Sequence, residues 1–99
     1  MANPNFLDQN SPTVVHRSKN GNVYTGQISD RKKNGNGNLT YSNGNQYTGS
    51  FNNGSKSGKG KFSWVNGDTY IGQFLNNKPN GSGIFTFGAT GQKYIGEFK

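Results

Sequence analysis

Cysteine is absent from the 99 residues, which excludes a disulfide framework and any thiolate-ligated zinc site. Acid is scarce too: Asp8, Asp30, Asp68 and Glu97 are the only carboxylate side chains, and His16 is the only histidine. That inventory is too thin for most hydrolytic or metal-dependent chemistry, so no catalytic residue, metal or cofactor is expected. Hydrophobic residues make up 27%, against ~45–50% on a count that includes glycine in ordinary globular chains. An ordinary globular core is therefore not expected. No apolar run approaches the ~18–20 residues of a membrane-spanning helix. The opening residues, MANPNFLDQNSP, have neither a basic start nor a hydrophobic stretch, which argues against a secretory leader. A cytoplasmic chain, at most peripheral to a membrane, is the resulting expectation.

What the chain does have is glycine, 16 residues of it, and aromatic rings at 13%. All the rings but Phe6 lie between Gly21 and Lys99. Disordered chains are poor in aromatics, so simple disorder is a bad fit. The net charge is +7 and the pI near 9.9, which favours attraction to anionic surfaces.

The rings recur at a fixed interval. Tyr47 follows Tyr24 by 23 residues, Tyr70 follows by another 23, and Tyr94 by 24. The segments GNVYTGQI, GNQYTGSF, GDTYIGQF and GQKYIGEF start at Gly21, Gly44, Gly67 and Gly91. The first three are followed by GNGNLTYS, GKGKFSWV and GSGIFTFG, starting at Gly35, Gly58 and Gly81. Each block alternates with period 2, the mark of a strand with one face buried. Tyr24, Gly26 and Ile28 share a face, as do Gly37, Leu39 and Tyr41. Thr48, Ser50, Lys61, Ser63, Gln73 and Thr86 fall on the opposite face, which is expected to be wet. Asn43-Gly44 and Asn66-Gly67 are short hairpin signals, and six polar residues are expected to loop between the two strands of each repeat. Glycine inside a strand leaves room for close approach, here for a neighbouring ring lying flat on the sheet.

The pattern Y-x-G-x-[FI], a polar stretch and then G-x-G, at 23-residue spacing, resembles the MORN (membrane occupation and recognition nexus) repeat over roughly residues 20–99. Departures are few. Gln27, Ser50 and Gln73 stand where the family prefers the acid kept at Glu97, and Arg31 and Asn77 replace the mid-loop glycine kept at Gly54. The resemblance implies an all-β fold: a single-layer twisted antiparallel β-meander of repeated hairpins with an aromatic-lined groove. The expected organisation is a disordered tail at 1–12, a degenerate capping strand at 13–19, repeats at 20–42, 43–65 and 66–89, and a partial repeat at 90–99.

The resemblance implies binding rather than chemistry. The expected function is a non-enzymatic protein-interaction or scaffolding module, with the rings Tyr24, Tyr41, Tyr47, Phe62, Trp64, Tyr70, Phe85, Phe87 and Tyr94 as the partner-binding face. A second reading is a peripheral module that binds acidic phospholipid through basic loops carrying Arg31, Lys32, Lys33, Lys56 and Lys78. A third is a regulatory fragment of a larger enzyme. Nucleic acid is disfavoured, because no RNA-binding signature accompanies the rings and the core needs them. The partial last repeat leaves Tyr94, Ile95 and Phe98 on an open strand, and open edges recruit strands. Another protein or a second copy is therefore expected at that edge or on the aromatic face.

Overall fold

Alternating side chains, β-branched or aromatic on one face, build eight strands in the computed structural model, which describes residues 13–99. The tail expected at 1–12 lies outside the described residues. The strands are β1 (Thr13–Arg17), β2 (Val23–Ser29), β3 (Lys32–Thr40), β4 (Gln46–Asn52), β5 (Ser55–Ser63), β6 (Thr69–Leu75), β7 (Lys78–Thr86) and β8 (Lys93–Phe98). They form one antiparallel sheet in sequence order, open at β1 and β8, and no helix occurs among the described residues. The body measures 45 × 30 × 20 Å. The fold is the single-layer meander that the repeat implied.

The turns differ from expectation in an instructive way. The six-residue polar loops are absent: β2 and β3 are joined by Asp30 and Arg31 alone, β4 and β5 by Asn53 and Gly54, β6 and β7 by Asn76 and Asn77. Both residues of each pair have positive φ, from 49° to 92°, the type I′ geometry that matches strand twist. Asn and Asp tolerate the left-handed region, whereas Arg31 at φ 63° is an unusual occupant. The Asn-Gly sites make the longer turns. The Tyr41 N–H donates to the Asn45 carbonyl (2.8 Å) and the Gly44 N–H to the Tyr41 carbonyl (2.9 Å), with Gly44 at φ 96°. This is a three-residue loop with a glycine bulge, repeated at Trp64–Asp68. Arg31 is therefore a turn residue, while Lys32, Lys33, Lys56 and Lys78 stand at the starts of strands rather than in loops.

The two glycines of each G-x-G have separate tasks. Opposite the single residue Gln27, β3 carries three residues, Asn34, Gly35 and Asn36, between the pairs Ile28–Lys33 and Gly26–Gly37. The same register shift recurs between β4 and β5 and between β6 and β7. The first glycine sits in this bulge, with φ of 87°, 85° and 96° at Gly35, Gly58 and Gly81. The second lies under a tyrosine ring. Gly37, Gly60 and Gly83 pair with Gly26, Gly49 and Gly72, and a Cβ on any of the six would approach ring or backbone atoms closer than 3.0 Å.

On these glycine pairs rests the core. Tyr24, Leu39, Tyr47, Phe51, Tyr70 and Phe74 are its buried members. The opposite face is polar over most strands but changes at the C-terminal end. There Ile71, Ile84 and Ile95 pair across β6, β7 and β8 and stay exposed, so the face expected to be wet ends in an apolar patch.

Candidate functional site

Two rows of rings run across the strands on one face. The first is a ladder of edge-to-face contacts in the order Tyr24, Phe51, Tyr47, Phe74, Tyr70, Phe98, Tyr94. Its centroid separations are 4.7–5.3 Å and its interplanar angles 77–87°, a geometry favoured by ring quadrupoles. Each tyrosine hydroxyl donates to the carbonyl three residues on: Tyr24 to Gln27 (2.5 Å), Tyr47 to Ser50 and Tyr70 to Gln73 (both 2.8 Å), and Tyr94 to Glu97 (3.2 Å). For the first three, the acceptor belongs to the residue at the bulge, where ladder pairing is interrupted. Burial raises the Tyr24, Tyr47 and Tyr70 phenol pKa values, that of Tyr47 to about 12. Tyr24, Tyr47 and Tyr70 are 2%, 0% and 0% exposed. They hold the fold and offer a partner no surface, which removes them from the expected contact face.

The second row is Tyr41, Phe62, Trp64, Phe85 and Phe87, with centroids 4.6–5.6 Å apart. Tyr41, Phe62, Trp64 and Phe85 are half-buried, and Phe87 is 47% exposed. These rings lack glycine beds of their own and stand above the sheet. Tyr94, at 49% exposure, extends the aromatic surface toward the open edge. The expected contact face thus reduces to Tyr41, Phe62, Trp64, Phe85, Phe87 and Tyr94.

The five expected cations also divide. The Lys56 ammonium donates to the Tyr41 hydroxyl (2.7 Å) and lies 5.4, 5.7 and 5.9 Å from the ring centres of Tyr41, Tyr47 and Phe62. The Lys33 ammonium lies 5.5 Å from the Tyr24 centre. Both are cation–π contacts, so these lysines cap the aromatic face. Strand parity would have shown this, since Lys33 and Lys56 pair with the core-facing Ile28 and Phe51; the expectation of a loop hid it. Arg31, Lys32 and Lys78 are exposed along the edge made by the type I′ turns. Successive turns there are tied together, the Gly54 N–H to the Lys33 carbonyl (2.8 Å) and the Asn77 N–H to the Lys56 carbonyl (3.1 Å).

Sequence reasoning missed a set of polar staples. The side-chain oxygens of Asn22, Asn45 and Asp68 accept the N–H groups of Ser42, Val65 and Gly88 at 2.8–3.0 Å, each joining one turn to the next repeat's turn. Their shared place, directly after a turn glycine, is the signal. No cluster of three or more potential metal ligands occurs among the described residues.

Comparison with known proteins agrees with this geometry. The MORN repeat family model matches residues 24–46, 47–69 and 70–89. Each match begins on a ladder tyrosine, Tyr24, Tyr47 or Tyr70, four residues beyond the boundaries placed at 20, 43 and 66. No curated protein matches the chain. With three consecutive matches across residues 24–89 and a sheet built from the same three units, the chain belongs to the MORN repeat family.

Proposed function

We propose that this chain is a non-enzymatic protein-binding module whose contact surface is the strip Tyr41–Phe62–Trp64–Phe85–Phe87. One observation carries the reading: five adjoining rings stay partly exposed on a sheet face that no other described element covers. Aromatic anchors of this kind dominate protein interfaces. Among the described residues Asp30, Asp68, Glu97 and His16 form no group that could hold a metal ion. The single tryptophan lies inside the strip, so partner binding reports directly through Trp64 emission. Trp64→Ala and Phe87→Ser should weaken binding of a captured partner by tenfold or more, with the melting curve checking the fold. Thr48→Ala, on the opposite face, should leave binding unchanged. A partner indifferent to both strip variants would overturn the assignment.

A second reading has its own support. Arg31, Lys32 and Lys78 line one edge, exposed and without a carboxylate partner among the described residues. Each cation near an anionic bilayer is worth ~1 kcal/mol. Changing Arg31, Lys32 and Lys78 to Gln should release the protein from vesicles containing acidic phospholipid, and rising salt should do the same. Wild-type protein that ignores such vesicles at low salt would eliminate this reading.

A further inference from the structure

The second repeat shows how the ring face holds a cation, and the third repeats the rings without the cation. The Lys56 ammonium donates to the Tyr41 hydroxyl (2.7 Å) and lies 5.4 and 5.9 Å from the ring centres of Tyr41 and Phe62. Those two rings stand 5.6 Å apart, tilted by 41°. Their counterparts one repeat on are Trp64 and Phe85, 5.5 Å apart and tilted by 48°. The lysine does not recur. Lys56 pairs with Phe51, whereas the residue that pairs with Phe74 is Pro79. A proline ring closes on its own backbone nitrogen, so it brings no charge and cannot extend along the strand as a four-carbon lysine stem does. Among the described residues no cation lies over Trp64 or Phe85. Both rings are half-buried, while Tyr70, the counterpart of Tyr47, is fully buried. The surface offered is therefore these two rings, and tryptophan is the strongest cation–π ring.

We propose that Trp64 and Phe85 seat the trimethylammonium group of a methylated lysine carried by a partner protein. The inference rests on the strip being a contact surface and names the chemistry that the strip reads. Positive charge is selected because the matching pair, Tyr41 and Phe62, already holds an ammonium in almost the same geometry. Methylation is selected by hydrogen bonding. Lys56 has an acceptor in the Tyr41 hydroxyl, whereas an indole N–H only donates and a phenyl ring has no polar atom. An unmodified ammonium would give up water there with no acceptor in return. A trimethylammonium keeps the charge, has no N–H to satisfy and turns methyl groups to the rings. The net charge of +7 does not bar a cation from this place. Of the 11 basic residues only Lys78, Lys93 and Lys99 follow Trp64, together with two of the four acids, Asp68 and Glu97. The excess positive charge lies in the earlier repeats.

The test titrates the full chain with the peptide Gly-Ala-Lys-Ala-Gly bearing a trimethylated lysine, read through the emission of the single tryptophan, Trp64. A saturable change is expected, fivefold or more weaker with the unmodified lysine. It should be tenfold or more weaker with the uncharged isostere in which carbon replaces the lysine nitrogen. Pro79→Lys supplies the residue found at this position in the other two repeats, so it should fold normally and weaken binding tenfold or more by placing the chain's own ammonium on the rings. Thr48→Ala, on the opposite face, should change nothing. Equal binding of the uncharged isostere, or undiminished binding to Pro79→Lys, would overturn the proposal. Choline chloride binding as tightly as the peptide would assign the rings to a small quaternary amine and overturn it as well. No emission change at millimolar peptide would also overturn it, while the strip would stand as a protein-contact surface if a captured partner still depends on Trp64 and Phe87.

Discussion

Tyr47 and Tyr94 occupy the same position in their repeats, yet one is fully buried and the other is 49% exposed. Both rings lie along their own strand, over Gly49 and Gly96, and both hydroxyls reach the carbonyl three residues on. What differs is the following strand. Tyr47 also covers Gly60 of β5 and is closed in by Phe74 of the next repeat, while no described strand follows β8. The tyrosine of one repeat is therefore buried by the second-strand glycine of its own repeat and by the phenylalanine of its successor. Stability in such arrays resides in the junctions between neighbouring units, and the middle of this sheet has junctions on both sides where its ends have one.

Glycine substitution gives the widest separation between middle and end. Gly83→Val places a Cβ into the Tyr70 ring, which is fully buried and held by Phe74 and Phe98. A loss of ~1–3 kcal/mol is expected, the scale of overpacking. Gly96→Val meets only Tyr94, at 2.8 Å from its hydroxyl, and that half-exposed ring can swing aside. Its loss should be less than half as large. Denaturant unfolding of both variants measures the contrast, and equal losses would break the idea that burial comes from the following strand.

Removing one hydroxyl sharpens it. Tyr47→Phe leaves the Ser50 carbonyl without its donor in a covered site, at a cost of ~1 kcal/mol. Tyr94→Phe removes a longer bond, 3.2 Å, from an exposed ring, and water replaces it. Its effect should stay within ~0.5 kcal/mol. A Tyr94→Phe loss matching that of Tyr47→Phe would show that the hydroxyl bond matters regardless of burial.

Alkaline titration tests the same burial by another route. The Tyr47 phenol is raised from 10.0 to about 12 by desolvation. The folded chain therefore keeps a proton that the unfolded chain releases. This contribution is complete below pH 10 and is lost as pH rises through 12, so stability must fall across that window. Unfolding midpoints measured from pH 9 to pH 12 should decline, and Tyr47→Phe should decline less. Midpoints that rise with pH in this range would contradict buried, neutral phenols.

The smallest effect has the opposite sign. Ile28→Phe gives Tyr24 its second aromatic neighbour and should stabilise by ~0.5–1 kcal/mol, the increment of one aromatic pair. A lowered melting temperature would mean that the N-terminal end has no room for the ring, and that the end is different in kind from the middle.

The strands were legible because period 2 and the 23-residue interval fix them together. Tyr24, Gly26 and Ile28 cannot share a face in a helix, and three copies of the same alternation leave one register. The flat-lying rings were legible too, from glycine on the ring face of every strand from β2 to β8. The site was less so. The exposed strip and the buried ladder contain the same residue types, and nothing in the alternation separates Tyr41 from Tyr47. Lys33 and Lys56 were misplaced because a polar stretch rich in Asn, Ser and Lys resembles a loop in composition. Here its polarity comes from type I′ turns, bulges and turn-to-turn staples within continuous strands.

Sequence alone determined the family, the meander and the face each ring occupies, because these follow from local alternation and from turn residues acting over two to five positions. Tertiary structure decided which rings are core and which are surface, since burial depends on what the next repeat lays over a given strand. It also decided what the face-side cations cover: Lys56 lies over three rings, while Lys33, at the same place in the first repeat, lies over Tyr24.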